Sequence, residues 1–253
     1  MNIFEHIFLG VLQGFTEFLP VSSSGHLYLA QKFLGFVPDL TLEIFFHAGS
    51  LVAVVVFFKE DVWRIFKSTC SLDCLKKKDG VLGVKLLLAT ILTVPVALLL
   101  ESKFELVLNV KLVAAMLLIT GIMILIAEKF RPKIEKDLTW GIVIALGLVQ
   151  GIAALPGISR SGITIAFLIL VGVNRRKAAE YSFILSIPTI LGAVVFAFND
   201  ASFDFSIGKV LGFVICVLAS LVAIKWMIKL VEKHWIWFAP YCFLLGASLL
   251  LIK

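Results

Sequence analysis

The sequence predicts an all-α polytopic membrane protein, a single integral membrane domain over residues 1–253 with six transmembrane helices and two re-entrant helix–loop–helix hairpins in an inverted-topology repeat. Three observations lead there. First, 60% of the residues are hydrophobic and 16% charged, with mean hydropathy +1.06. A soluble domain carries about a quarter charged residues, so a water-facing surface all round is excluded. Second, apolar runs near the roughly 20 residues that cross a bilayer recur along the whole chain. Third, two polar interruptions resemble each other. Each is entered through Leu-Gly-x-x-Gln-Gly, passes through a Pro and closes on Ser-Gly, at Gln13 to Gly25 and at Gln150 to Gly162.

Taken in order, residues 2–19 and 27–36 are apolar pieces too short for comfortable spans. Between them Pro20-Val21-Ser22-Ser23-Ser24-Gly25-His26 breaks any helix. Non-helical backbone at membrane depth survives only where protein or a wet cavity surrounds it, which predicts a hairpin that enters and leaves by one face. The first Lys is Lys32, so the opening segment lacks the basic region of a signal peptide. Spans are predicted at about 41–58, 81–100 and 110–127, with a basic loop at 59–80. Residues 139–172 repeat the hairpin around Pro156-Gly157-Ile158-Ser159-Arg160-Ser161-Gly162. Further spans are predicted at about 178–198, 207–228 and 235–252.

At an offset of 137 residues, Gln13 meets Gln150, Gly25 meets Gly162, Glu43 meets Glu180 and Phe46 meets Phe183. One hairpin plus three spans makes an odd number of crossings. The repeats, approximately 1–128 and 138–253, are therefore expected in opposite orientation, with their broken elements meeting near the midplane. This topology puts 17 of the 23 Lys and Arg residues on the face opposite the N-terminus. Only Lys32, Lys103, Lys111, Lys209 and Lys253 fall on the N-terminal face, and Arg160 lies in the second break. By the positive-inside rule both termini are outside. The same asymmetry accounts for the net charge of +6, so no nucleic-acid partner is expected. Cys70, Cys74, Cys216 and Cys242 form no zinc or disulfide pattern.

Arg160 is the most informative residue. An Arg at membrane depth costs at least about 2.5–3.5 kcal/mol and needs a partner or a cavity. Ser159, Ser161, Gly157, Gly162 and the N-terminus of the helix that follows supply hydroxyls, close backbone approach and free N–H groups, a set suited to phosphate or diphosphate. Thr164 sits in the first turn of that helix. The structural alternative is an ion pair with Glu17. Glu17 lies one turn after Gln13 and can orient water, take a proton or bind a divalent cation. Ser22, Ser23, Ser24, Gly25 and His26 offer a nucleophile and an acid or base, and at least one of the serines is expected to be a helix cap. Glu43 and Glu180 read as structural or interfacial, with His47 a partner for Glu43.

At Gly14-x-x-Glu17-Phe18-Leu19-Pro20-Val21-Ser22-Ser23-Ser24-Gly25-His26 and Pro156-Gly157-x-Ser159-Arg160-Ser161-Gly162-x-Thr164, the chain resembles the undecaprenyl-diphosphate phosphatases of the bacitracin-resistance type. The family's acidic motif, Glu or Gln, three residues, then Glu, reads Gln13 to Glu17 here, which puts any role for two carboxylates in doubt. The resemblance implies hydrolysis of the C55 isoprenoid diphosphate to the monophosphate and inorganic phosphate, recycling the lipid carrier for peptidoglycan. It also implies a divalent cation, Mg²⁺ or Ca²⁺, near Glu17, a homodimer, and a site open to the outer face of the cytoplasmic membrane. On this reading Glu17, Ser23, His26 and Arg160 are catalytic, while Gln13, Ser22, Ser24, Gly25, Ser159, Ser161, Gly162 and Thr164 bind substrate. The nucleophile, Ser23, His26 or water, is left open. The rival from another class is a transporter that flips polyprenyl phosphate.

Overall fold

The computed structural model describes residues 1–104, 108–198 and 206–251, and among them every regular element is helical. Lys253, assigned above to the N-terminal face, lies outside the described residues, and of Lys103 only the helical backbone is described. Eleven α-helices follow in order: α1 (Ile3–Thr16), α2 (Ser23–Phe33), α3 (Leu40–Phe57), α4 (Lys59–Thr69), α5 (Lys78–Phe104) and α6 (Val110–Phe130), then α7 (Trp140–Ile152), α8 (Arg160–Leu170), α9 (Arg175–Phe198), α10 (Ile207–His234) and α11 (Phe238–Leu251).

The chain is a multi-pass membrane protein. Among the described residues five helical stretches are long and apolar enough to cross a bilayer: Leu40–Phe57, Lys78–Leu100, Val110–Phe130, Arg175–Phe196 and Ile207–Leu251. The last runs 45 residues through α10, a 3₁₀ turn at Trp235–Trp237 and α11. Side chains such as Phe4, Ile91, Phe196 and Leu244 stand exposed on its outer surface, a pattern that suits lipid and not water. Helix starts follow local chemistry. Asn2 and Glu5 form a capping box on α1, while Asp39, Asn109, Thr139 and Ser206 cap α3, α6, α7 and α10.

Residues 59–69, expected as loop, form α4. Val62, Ile65 and Thr69 recur at helical spacing, and α4 packs on α5 through that stripe while Trp63 and Phe66 stay exposed.

Two close helix pairs position the site. Gly10 and Gly14 let α1 lie parallel to α10; a Cβ at Gly10 would sit 2.2 Å from the Gly212 carbonyl oxygen, and one at Gly14 would sit 2.6 Å from that of Cys216. Gly147 and Gly151 do the same for α7 along α5, where a Cβ at Gly147 would sit 2.6 Å from the Ala89 carbonyl oxygen. Between apolar helices, small residues four apart allow the backbone contact that drives association in lipid. The remaining core joins α3, α5, α6, α8, α9 and α10 around Phe18, Phe183, Ile165 and Leu168.

Candidate functional site

The two polar breaks meet inside the helix bundle. Glu17 is the C-cap of α1, its N–H donating to the Gln13 carbonyl. Tight turns then bring the chain to Ser22, whose φ of +69° makes it the one non-glycine residue with positive φ among the described residues. A β-carbon in that region is strained and persists only where its surroundings hold it. Ser22 is held by capping α2: its Oγ accepts from the Gly25 N–H at 3.2 Å, and its carbonyl accepts from His26 Nδ1 at 2.7 Å. In the second break Gly157 takes φ +94° against α6, where a Cβ would meet Val113 Cα at 2.9 Å. Ser159 caps α8 by accepting from the Gly162 N–H at 3.0 Å, which sets Arg160 at the first helical position.

Glu17 is the hub. Its Oε1 accepts from Arg160 Nη2 at 2.6 Å, across 143 residues of sequence. Its Oε2 accepts from Ser23 Oγ at 2.7 Å and from Gln13 Nε2 at 3.0 Å, and lies 3.3 Å from His47 Nε2. The Glu17 side chain is 5% exposed and that of Arg160 16%, so the pair is largely withdrawn from solvent while the guanidinium keeps an open edge. Arg160 Nη1 also donates to the Ser182 carbonyl at 3.4 Å. Four donors on one carboxylate fix its position, and a hydroxyl 2.7 Å from it has a base within proton-transfer reach.

The other expected residues divide into two groups. Ser24 lines a cavity of about 260 Å³ together with Tyr28, Glu43, Ala154 and Pro156, which joins both breaks to α3. Ser159 and Ser161 instead turn inward, both hydroxyls donating to the Leu19 carbonyl at 3.4 and 3.1 Å, so they tie the second break to the first. Thr164 Oγ1 donates to the Arg160 carbonyl and sits 2.7 Å from Ser182 Oγ, underneath the Arg. Gly25 and Gly162 give their N–H groups to the caps. His26 points elsewhere: its Nδ1–H donates to Ser22, which leaves Nε2 to accept from Tyr241 Oη of α11 at 2.7 Å.

Sequence reasoning missed three contributors. His47 does not pair with the Glu43 carboxylate. Its Nδ1 donates to the Glu43 main-chain carbonyl at 2.7 Å, and the ring reaches Glu17. A His one turn after an acid signals the helix face but not the distant partner. Ser182 and Tyr241 carry no local signal at all. Glu180, the repeat partner of Glu43, pairs with Arg176 at 3.0 Å on the surface, in line with a structural role.

Among the described residues no three His, Cys, Asp or Glu side chains gather for a metal ion. The cluster does offer oxygen donors. Gln13 Oε1 is buried without a hydrogen-bond partner, beside the Glu17 carboxylate to which its amide donates. That set fits a hard cation that takes most of its ligands from a phosphate group.

A family model described as "Bacitracin resistance protein BacA" matches residues 6–248. The chain is 38% identical to a protein of Desulfatibacillum aliphaticivorans named undecaprenyl-diphosphatase, over 99% of this chain and 98% of that one. Proteins of the same name from Christiangramia forsetii and Carboxydothermus hydrogenoformans are 37% and 36% identical, over 98% and 100% of this chain and 97% and 98% of theirs.

Proposed function

We infer that this chain, which belongs to the bacitracin resistance protein BacA family, is an integral membrane undecaprenyl-diphosphatase. It hydrolyses undecaprenyl diphosphate to undecaprenyl phosphate and inorganic phosphate, returning the lipid carrier to peptidoglycan synthesis and thereby conferring bacitracin resistance. The observation that carries the reading is the continuous string Ser23–Glu17–Arg160, at 2.7 and 2.6 Å, which joins both breaks at a nearly buried point.

The roles follow from the contacts. Two of Arg160's N–H groups are engaged, one each with Glu17 and Ser182, and its others take the terminal phosphate as a fork. Ser23 Oγ attacks the terminal phosphorus as Glu17 accepts its proton. The new O–P bond replaces the anhydride bond, and undecaprenyl phosphate leaves. Water then cleaves the phosphoserine and releases inorganic phosphate. Charge on the transferred group is stabilised by Arg160, with His47 holding Glu17 in place. Ser24 and the cavity wall contact the diphosphate. Ser22, Gly25, Ser159, Ser161, Gly162 and Thr164 act by holding the loops that present those groups. His26, with its ring nitrogens engaged by Ser22 and Tyr241, holds the start of α2 against α11 and takes no step in this scheme. A divalent cation, Mg²⁺ or Ca²⁺, would be held by Glu17 and Gln13 Oε1 and would neutralise charge on the diphosphate.

The same reading gives six spans and two re-entrant hairpins in one inverted-repeat domain. The 45-residue stretch Ile207–Leu251 divides into two spans at its 3₁₀ turn. Supporting the inversion, α1 lies parallel to α10 while α7, its repeat counterpart, lies parallel to α5. Placement in the bacterial cytoplasmic membrane with termini and site outward, and assembly as a homodimer, belong to the proposal.

The deciding experiment is phosphate release from C55 diphosphate by purified protein in detergent, with Mg²⁺ or Ca²⁺ and with a chelator. Release that the chelator abolishes is expected. The second reading, a flippase of polyprenyl phosphate, draws on the same inverted packing, and it predicts no release from folded protein.

A further inference from the structure

At the end of the bundle where α5 begins, two hollows are lined by the same two helices, α5 and α9. The first, about 460 Å³, has Lys76, Lys77, Lys78 and Lys85 on its walls beside Asp137 and Tyr181. The second is apolar and runs between α4, α5 and α9 past Phe66, Leu86, Leu87, Ile184 and Pro188. Neighbouring residues of the same helices line both: on α5 Lys85 lines the first and Leu86 the second, and on α9 Tyr181 lines the first and Ile184, three residues on, the second.

The charge in the first hollow is not balanced by its own walls. Asp79, which also lines it, is drawn to Arg64 at 3.0 Å, and Lys76 to Asp73 at 2.8 Å. Lys77 donates to the neutral Ser71 hydroxyl at 3.0 Å. Lys85 donates to the Leu138 carbonyl and lies 5.2 Å from the Trp140 ring centroid. Four lysines thus line the hollow with two carboxylates, and since Asp79 is engaged by Arg64, Asp137 is the lining acid left to face Lys77, Lys78 and Lys85. The neighbouring groove opens to lipid, since Phe66 and Leu87 are exposed.

We propose that the two hollows form one binding site for a phosphate-headed membrane lipid, its headgroup among the lysines and its tail along the apolar groove. Cationic side chains at a membrane surface recognise anionic headgroups, and the groove distinguishes a lipid phosphate from a free one. Among the described contacts none of these residues touches the Glu17–Arg160 cluster, so the proposal stands independently of the phosphatase reading.

Native mass spectrometry of the full chain in detergent, titrated with phosphatidylglycerol, phosphatidylcholine or inorganic phosphate, tests it. Phosphatidylglycerol should be retained about tenfold more tightly than phosphatidylcholine, and inorganic phosphate should not displace it. The triple variant Lys77→Gln, Lys78→Gln, Lys85→Gln should lose that preference. Leu87→Trp, which fills the groove and leaves the lysines alone, should weaken retention about as much with a cooperative unfolding transition intact. Equal retention of the two lipids, wild-type retention in both variants, or full displacement by inorganic phosphate would overturn the proposal.

Discussion

Glu17→Gln separates the chemistry of the site from its architecture. The amide matches the carboxylate in size but offers one acceptor oxygen where Glu17 has two. Four donors now converge on the carboxylate: Arg160 at 2.6 Å, Ser23 at 2.7 Å, Gln13 at 3.0 Å and His47 at 3.3 Å. If the amide oxygen stays on Arg160, its NH₂ confronts the other three. Arg160 then keeps two neutral acceptors, that amide oxygen and the Ser182 carbonyl at 3.4 Å, and no anion for a charge that is 16% exposed. Breaking a buried pair costs about 3–5 kcal/mol, and the open edge of the guanidinium puts this case near the lower end. Loss of a positioned base costs about 10²–10⁴ in rate. Phosphate release and unfolding should be measured in detergent for Glu17→Gln, Arg160→Gln and the double variant. Each single variant should lose about 3 kcal/mol, and the double variant should recover much of it because no charge is left unpaired. Release should stay at least about a hundredfold down in all three. Release restored in the double variant, or nearly unchanged in Glu17→Gln, would refute the assignment of the proton to Glu17.

Further outcomes are expected from the same preparation. Arg160→Lys should remain at least about tenfold impaired, because one ammonium cannot span Glu17 and Ser182 and still present a fork to phosphate; near-normal release would sink the clamp. Acid-quenched wild type should trap radiolabelled phosphate and Ser23→Ala should not, whereas equal labelling would exclude Ser23 as nucleophile. Tyr241→Phe removes the donor to His26 and should cost about 1 kcal/mol of stability with a few-fold change in release. A loss as deep as that of Glu17→Gln would make His26 the group that moves the proton. Gly10→Val and Gly147→Val should lower the unfolding midpoint through overpacking of about 1–3 kcal/mol, since their Cβ atoms fall 2.2 and 2.6 Å from carbonyl oxygens. An unchanged midpoint in both would show that these helix pairs separate freely.

The helices long enough to cross a bilayer were legible because the bilayer imposes a length and an apolar composition that no other fold needs. Helix α4 was hidden: Lys59, Glu60, Asp61, Arg64 and Lys67 outweigh the apolar stripe that packs it on α5. At the site, the Glu17–Arg160 contact was foreseeable from cost alone, as two charges at membrane depth each need a partner. His47 was not, because the sequence shows only its neighbour one turn back, and packing of α3 against α1 supplies the true one. Tyr241 is 215 residues from His26, and nothing local to either announces the contact.

The places where the two halves agree and differ explain why one site results and not two. At an offset of 137, Ser22 and Ser159 both cap the second helix of their break, receiving the Gly25 and Gly162 N–H groups in the same way. Gly10 and Gly147 both admit a neighbouring helix. These shared residues make the scaffold. The groups of the Glu17 cluster are unshared: Glu17 faces Ala154 in the repeat register, Ser23 faces Arg160 and His47 faces Ile184. A second carboxylate at 154 would add a negative charge to the cavity that Ser24 and Glu43 line, and an Arg at 23 would displace the hydroxyl held on Glu17. Each half therefore contributes what the other lacks, the first a carboxylate with its hydroxyl and the second a guanidinium. An Ala154→Glu substitution at the wall of the cavity should accordingly impair release without restoring Glu17→Gln, since the new acid would compete for Arg160 with no Ser23 equivalent beside it. Rescue of Glu17→Gln by Ala154→Glu would show instead that the halves are interchangeable.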